Sequence, residues 1–271
     1  MKTNLGVCVN VLDNAQTVAD TINAFPSVYH DGYFKCRAIA KQYFLDRTAG
    51  DRLATDLASA VRYTLEQWGA GKREAPGLQP LREFSNALCQ PEIRASLAAL
   101  TGTPLSALTV VRQRRYLNAE PAKYDDLLSL ESNLFFALHT LAGRLFIENT
   151  NVTYPMKAVL LMTGFMPAFD GKVRAGLQRG GFSGMNKTQY LLPASAVHSD
   201  GKKISGLPFL LGQCWAMCAS QIREGISKSS FPELIQEPGR VFDVLLFMQA
   251  DKRNTITVTC EPANRVWYDF P

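Results

Sequence analysis

Apolar residues recur at three- and four-residue steps along most of this chain, and that period constrains the fold more than any other feature. It runs through "RLATDLASAVRYTLEQWG", "LREFSNALCQPEIRASLAAL", "YDDLLSLESNLFFALHTLAGRLF", "MKAVLLMTG", "PFLLGQCWAMCASQIREGI" and "GRVFDVLLFMQA". Each stretch lays an apolar stripe along one helix face, and such stripes must be buried against one another. The breaks at 69–77, 149–155, 180–184 and 227–238 are rich in Gly, Pro, Ser, Asn and Lys, as helix connections are. Strand character is confined to "LGVCVNVL" near the N-terminus and "NTITVTCEP" near the C-terminus, where Thr alternates with Ile256 and Val258. These two stretches are predicted to pair at the edge of the helical body. The expected fold is mostly α with a minor terminal β element. Its 271 residues suffice for one compact unit or for two helical lobes around a central cleft, about 1–110 with the C-terminal helices and about 111–200.

A hydrophobic fraction of 46% with 20% charged residues describes an ordinary globular protein rather than a disordered one. Lys and Arg number 29 against 24 Asp and Glu, a net charge of +5 that favours a polyanionic partner. The cysteines are scattered. Only Cys214 and Cys218 sit close, at helical spacing beside Trp215 and Met217, which predicts core thiols rather than a metal set. Asn4, Asn10, Asp13 and Asn14 interrupt any apolar leader, and no apolar run approaches a membrane span, so a cytoplasmic protein without membrane contact is expected. The Gly-rich phosphate and dinucleotide loops, the GxSxG elbow, the HExxH helix and the EF-hand loop are all missing from the sequence. His139, in "FFALHTLAG", reads as a core or interface side chain, and His30 and His198, in polar connections, read as solvated. Any active site must then be built from carboxylates, lysines and aromatics.

Asp170 is the carboxylate that stands out. In "FMPAFDGKVRAGLQRGGF" it follows an apolar run and the Pro167 turn, directly ahead of a basic amphipathic helix. Two readings stay open: a helix N-cap, for which Asp is a favoured residue, or a carboxylate aimed into a cleft. The segment from Lys157 to Arg179 resembles the core signature of the helix-hairpin-helix DNA glycosylases. There a lysine-bearing helix and a short apolar turn precede an aspartate that opens the next helix, often with a valine three residues on. Asp170, Val173, Arg174 and Leu177 match the aspartate-led part, and Lys157 stands where some members carry their lysine, thirteen residues ahead. The family's glycine-rich hairpin is replaced here by "NTNVTYPM".

The resemblance, which covers roughly residues 140–182, implies a two-lobed helical bundle that needs no cofactor. It would act as a monomer on double-stranded DNA, hydrolysing the N-glycosidic bond of a damaged or modified base with Asp170 and Lys157 as catalytic residues. Attack on modified phage DNA in antiviral defence is one use of such a divergent member. The chemistry fits a carboxylate: base loss develops positive charge on the sugar, which a nearby carboxylate stabilises while it orients water. The shortened spacing predicts water rather than Lys157 as the nucleophile, with Lys157 a phosphate contact or a solvated side chain. Arg112, Arg114, Arg115, Lys172, Arg174, Arg179, Lys202 and Lys203 are candidate phosphate contacts, and each alone fits a solvated face equally. Trp215, Tyr190, Phe182 and Phe209 are candidates to hold a flipped base, and each also fits a core position. Arg240 and Asp243, at i, i+3, read as an ion pair that is either structural or set at a cleft. The alternative functions are a non-catalytic DNA-binding or regulatory protein, with Asp170 a cap only, and a helical interaction protein without a nucleic-acid role.

Overall fold

The structure, a computed structural model, describes residues 9–11, 14–46, 51–111, 114–147, 150–182 and 199–260, with side chains excepted at 9–11, 199–203 and 260. Among these are eleven α-helices: α1 (Ala15–Ala24), α2 (Ser27–Leu45), α3 (Asp51–Gln67), α4 (Leu81–Leu88), α5 (Pro91–Thr101), α6 (Tyr124–Leu145), α7 (Thr153–Thr163), α8 (Gly171–Arg179), α9 (Ser199–Met217), α10 (Ala219–Lys228) and α11 (Pro238–Gln249). The strands are β1 (Val9–Val11), β2 (Leu108–Val111), β3 (Arg114–Leu117), β4 (Glu120–Pro121) and β5 (Val258–Cys260). β1 and β5 pair antiparallel, Val9 opposite Cys260 and Val11 opposite Val258, which joins the two ends of the chain as the alternation near them predicts. β2, β3 and β4 form a second small antiparallel sheet. Its β3–β4 turn places Asn118 and Ala119 at φ +51 and +66, the left-handed geometry of a two-residue hairpin. Alternation at this second sheet is confined to β2, where buried Leu108 and Val110 alternate with Thr109 and Val111, while β3 leaves Arg114 exposed and Arg115 half-buried.

Pairing follows the apolar stripes. α2 packs on α3 and α7, α3 on α4, α5 on α6 and α7, α1 on α10 and α11, and α9 on β2. Side chains from both expected lobes join one buried cluster, from Val18 and Ile22 to Leu141, Leu161 and Leu245. Two helices are apolar almost all round and occupy the middle of the molecule: α7, buried from Pro155 to Thr163, and α11, buried from Pro238 to Leu246. A helix of that kind can only be a core helix, so any charge on it must be satisfied inside the protein.

α8 lies against α11 at a close crossing. A Cβ at Gly176 would stand 1.8 Å from the Leu246 carbonyl oxygen, so only glycine permits this approach. Gln249, buried at the end of α11, ties the neighbourhood together: its Nε2 donates to the carbonyls of Gly176 (2.7 Å) and Val258 (3.0 Å), and its Oε1 accepts from the Val258 N–H (2.9 Å). Cys36, Cys214 and Cys218 are buried free thiols and Cys89 is exposed. Among the described residues no helix is long and apolar enough to cross a membrane.

His30 departs from its expected solvated position, and His139 from the core half of its reading. His30 is fully buried in α2, its ring stacked 4.1 Å from Phe231, because the break before α2 ends at Pro26 and the helix turns His30 inward. His139 is exposed, since α6 turns Leu134, Leu138 and Leu141 to the core and the residue after Leu138 falls on the outer face. His198 lies outside the described residues.

Candidate active site

The segment between α7 and α8 is built to place one carboxylate. α7 ends at Gly164, in the left-handed conformation at φ +66, with its N–H on the Leu160 carbonyl (2.9 Å). Phe165 to Phe169 are buried, and the Ala168 N–H donates to Asp243 Oδ1 at 2.9 Å, which fixes the backbone two residues before Asp170. Asp170 then caps α8: its Oδ1 accepts the N–H groups of Lys172 and Val173, both at 2.9 Å. Its Oδ2 points the other way, 3.6 Å from Lys157 Nζ. Both readings of Asp170 are therefore realised in one side chain, one oxygen serving the helix and the other facing Lys157.

Lys157 does not open its helix. α7 begins at Thr153, so Lys157 sits in the second turn. It is also not solvated. Only 8% exposed, it donates to the Trp68 carbonyl (3.3 Å) and lies 4.7 Å from the Tyr154 ring centroid as well as beside Asp170. Burial, then the charge of Asp170, pushes the Tyr154 hydroxyl above its ordinary value.

The central helix α11 supplies a second pair. Arg240, 1% exposed, donates through Nη1 to Asp243 Oδ2 and through Nη2 to the Tyr29 carbonyl (3.0 Å). The rings of Phe25, Tyr33 and Trp68 surround its guanidinium at 5.0, 5.1 and 5.1 Å. Burial pushes the Asp243 carboxyl up to about 6 against the pull of Arg240, and the charge of Asp170 adds to the rise.

The two pairs meet at a cavity of about 180 Å³, lined by Lys157, Asp170, Arg240 and Asp243 with the aromatic walls Phe25, Tyr29, Trp68 and Phe247. That volume lies below the roughly 300–1,000 Å³ of a drug-sized pocket and suits a single planar ring system. A larger groove, about 560 Å³, runs between α2 and α3 and shares Trp68. Its charged residues Asp31, Lys35 and Asp56 are exposed, so the smaller cavity is where desolvated charge collects.

The structure thus brings Asp170 and Lys157 together, and separates most of the other sequence candidates from them. Arg174 is half-buried near Asp170, whose charge holds its pKa up against the larger lowering by burial, and Lys172 is exposed on the same helix. Arg179 is committed elsewhere: Nη1 donates to the carbonyls of Gln249 (2.9 Å), Asp251 (2.5 Å) and Asn254 (2.7 Å), clamping the turn after α11. Arg114 is exposed on β3, and the Arg115 guanidinium lies 5.6 Å from the Phe209 ring centroid. Trp215, Phe182 and Phe209 are core side chains and do not line the cavity, because apolar packing consumes their faces. Arg112 and Tyr190, and the side chains of Lys202 and Lys203, lie outside the described residues.

The aromatic walls that do line the cavity come from opposite ends of the chain, and no local pattern marks them. Arg240 and Asp243 carried a usable sign, two charges on an otherwise apolar helix. Comparison with protein-family models, with curated proteins and with solved structures returns no match, so the geometry of the Asp170 cavity is what bears on function.

Proposed function

We propose that this chain is a DNA glycosylase that removes a modified base by hydrolysis, with Asp170 as the catalytic carboxylate. The observation that carries the reading is the division of labour at Asp170. One oxygen is held by the α8 N-terminus and the other stands beside Lys157 at an aromatic-walled cavity. An extruded base enters that cavity between the rings. As the bond from C1′ to the base nitrogen breaks, its electron pair leaves with the base and positive charge grows on the sugar, where Asp170 Oδ2 stabilises it and orients a water molecule. The water oxygen bonds to C1′, a water proton ends on the base, and the products are an abasic site and the free base. Lys157 holds the carboxylate in place, and Lys172 and Arg174 on α8 offer charge to the flanking phosphates. The order of α6, a short connection, α7 with Lys157, an apolar turn and an Asp-capped α8 supports the resemblance to the helix-hairpin-helix glycosylases.

The second reading, a non-catalytic DNA-binding protein, draws on the same cap: two N–H groups on Oδ1 are sufficient reason for an aspartate at this position. One experiment separates the two. Duplexes carrying different modified bases are incubated with the protein, released base is identified by mass spectrometry, and abasic sites are revealed by heat or alkali. Asp170→Asn keeps an oxygen for the cap and removes the charge, so base release should fall by roughly 100-fold or more while DNA binding stays within a few fold. Undiminished release by Asp170→Asn would leave the cap as the whole role of the residue.

A further inference from the structure

The turn after α3 holds a shape that its own residues do not all favour. The chain passes through Gly69, Gly71 and Arg73 at φ +97, +73 and +54, the left-handed region that suits glycine. Arg73 lacks the short polar side chain with which Asn or Asp eases that conformation, so its backbone is strained. The turn is nevertheless held firmly. The N–H groups of Ala70, Gly71 and Ala75 donate to the carbonyls of Leu65 (2.8 Å), Pro76 (2.9 Å) and Lys72 (3.0 Å), and Ala70 is buried. What this framework holds out to solvent is charge. Lys72 and Arg73 are exposed, and among the described residues neither side chain has an ion-pair or hydrogen-bond partner. The N–H groups of Arg73 and Glu74 are likewise unmatched there.

This turn starts at the Asp170 cavity. Trp68, the residue before it, lines the cavity and accepts the Lys157 ammonium on its carbonyl (3.3 Å). A Cβ on Gly69 would stand 3.5 Å from the Tyr154 hydroxyl, and the Tyr154 ring lies 4.7 Å from Lys157 Nζ. Inside the cavity each cation is already paired, Lys157 with Asp170 and Arg240 with Asp243, so neither offers net charge to a polyanion. Lys72 and Arg73 do. From this arrangement, and resting on the glycosylase reading above, we infer that the turn from Gly69 to Gly77 is a clamp for the DNA backbone. Lys72, Arg73 and the free N–H groups beside them take phosphate oxygens of the duplex near the flipped nucleotide. Such contacts set affinity and register without reading sequence, while Asp170 carries the chemistry. The strain at Arg73 then has a reason, since the position serves the partner rather than the fold.

The test is binding of the full chain to an unmodified duplex over a salt series, which needs no base release. Lys72→Gln combined with Arg73→Gln should weaken binding roughly tenfold at ~0.1 M salt and lower the slope of log affinity against log salt by about 1 per residue. Arg223→Gln, an exposed arginine on α10, a helix that supplies nothing to the cavity, should leave the slope as it is. Arg73→Gly separates charge from conformation: it relieves the backbone, so the urea midpoint should hold or rise while DNA affinity falls. A lower midpoint would make Arg73 a structural residue and overturn its part in the clamp. Affinity and slope unchanged in the double variant overturn the clamp and leave the glycosylase reading standing. The expected loss of binding, with no base released from any modified duplex, overturns the glycosylase reading and leaves the clamp. Absence of salt-dependent binding by the wild type overturns both.

Discussion

Lys157 carries the sharpest chemical question at the scale of single residues, because under the proposed glycosylase reading a lysine beside Asp170 could itself attack the sugar. A nucleophilic amine needs a free lone pair. Lys157 Nζ instead donates to the Trp68 carbonyl, faces Asp170 Oδ2 and lies near the Tyr154 ring. Its surroundings commit it to positioning. Borohydride added during turnover should therefore trap no protein–DNA adduct, and Lys157→Gln should slow base release by about tenfold, the scale of one charge-assisted contact, rather than abolish it. A trapped adduct that disappears in Lys157→Gln would make the lysine the nucleophile. Asp170 itself was legible in the sequence, since an Asp between a proline turn and an amphipathic helix is a local pattern. The environment of Lys157 was not, because Trp68 reaches it from the turn after α3 and Asp170 from the start of α8, and only Tyr154 is its neighbour on α7.

At the scale of elements, the α8–α11 crossing decides where Asp170 stands. Gly176 meets the Leu246 backbone, and Gln249 holds the Gly176 carbonyl. Gly176→Ala must push α8 away from α11, since a backbone oxygen cannot rotate aside as a flexible side chain can. The expected cost is about 1–3 kcal/mol of stability, read as a lower urea midpoint, together with a fall in base release as the capped aspartate shifts from Lys157. Gly171→Ala, whose Cβ would meet only the far end of Arg174 at 3.9 Å, should leave the midpoint nearly unchanged and serves as the control. The helices carrying these residues were readable from their period. The crossing was not, because "AGLQRGG" holds several glycines and nothing local distinguishes the one that touches another backbone. The β2–β4 sheet escaped for a related reason: two arginines on a strand read as a charge cluster until the partner strand supplies a ladder.

For the whole molecule the consequence is a dependence of stability on pH. His30 is buried between Phe25, Phe34 and Phe231, and burial, then the charge of Arg240, pushes its imidazole down to about 4 from 6.5, with the Ile22 backbone opposing. In the unfolded chain it titrates near its ordinary value. Above about 6.5 both states are neutral at this site and its contribution is complete. Between about 6.5 and about 4 only the unfolded chain takes the proton, so stability falls by an amount on the order of 3 kcal/mol, and below about 4 the loss levels off. Asp243, raised to about 6 from 3.8, acts with the opposite sign, adding stability as pH falls through that window. Urea midpoints of the wild type and His30→Phe measured from pH 7 to pH 4 isolate the histidine. The variant should lack the decline assigned to His30, and an identical decline in both proteins would refute its assignment.

By itself the sequence determined the helical class, the pairing of its terminal strands and the presence of an aspartate at a helix start, all properties of short windows governed by period, capping and alternation. Tertiary structure decided the rest. It turned His30 inward and His139 outward, withdrew Lys157 from solvent, committed Arg179 to carbonyls after α11, and assembled the cavity walls from Phe25, Tyr29, Trp68 and Phe247. The physical reason is that a cavity belongs to surfaces brought together by packing. Its residues are neighbours through the burial of α7 and α11, which no spacing along the chain records.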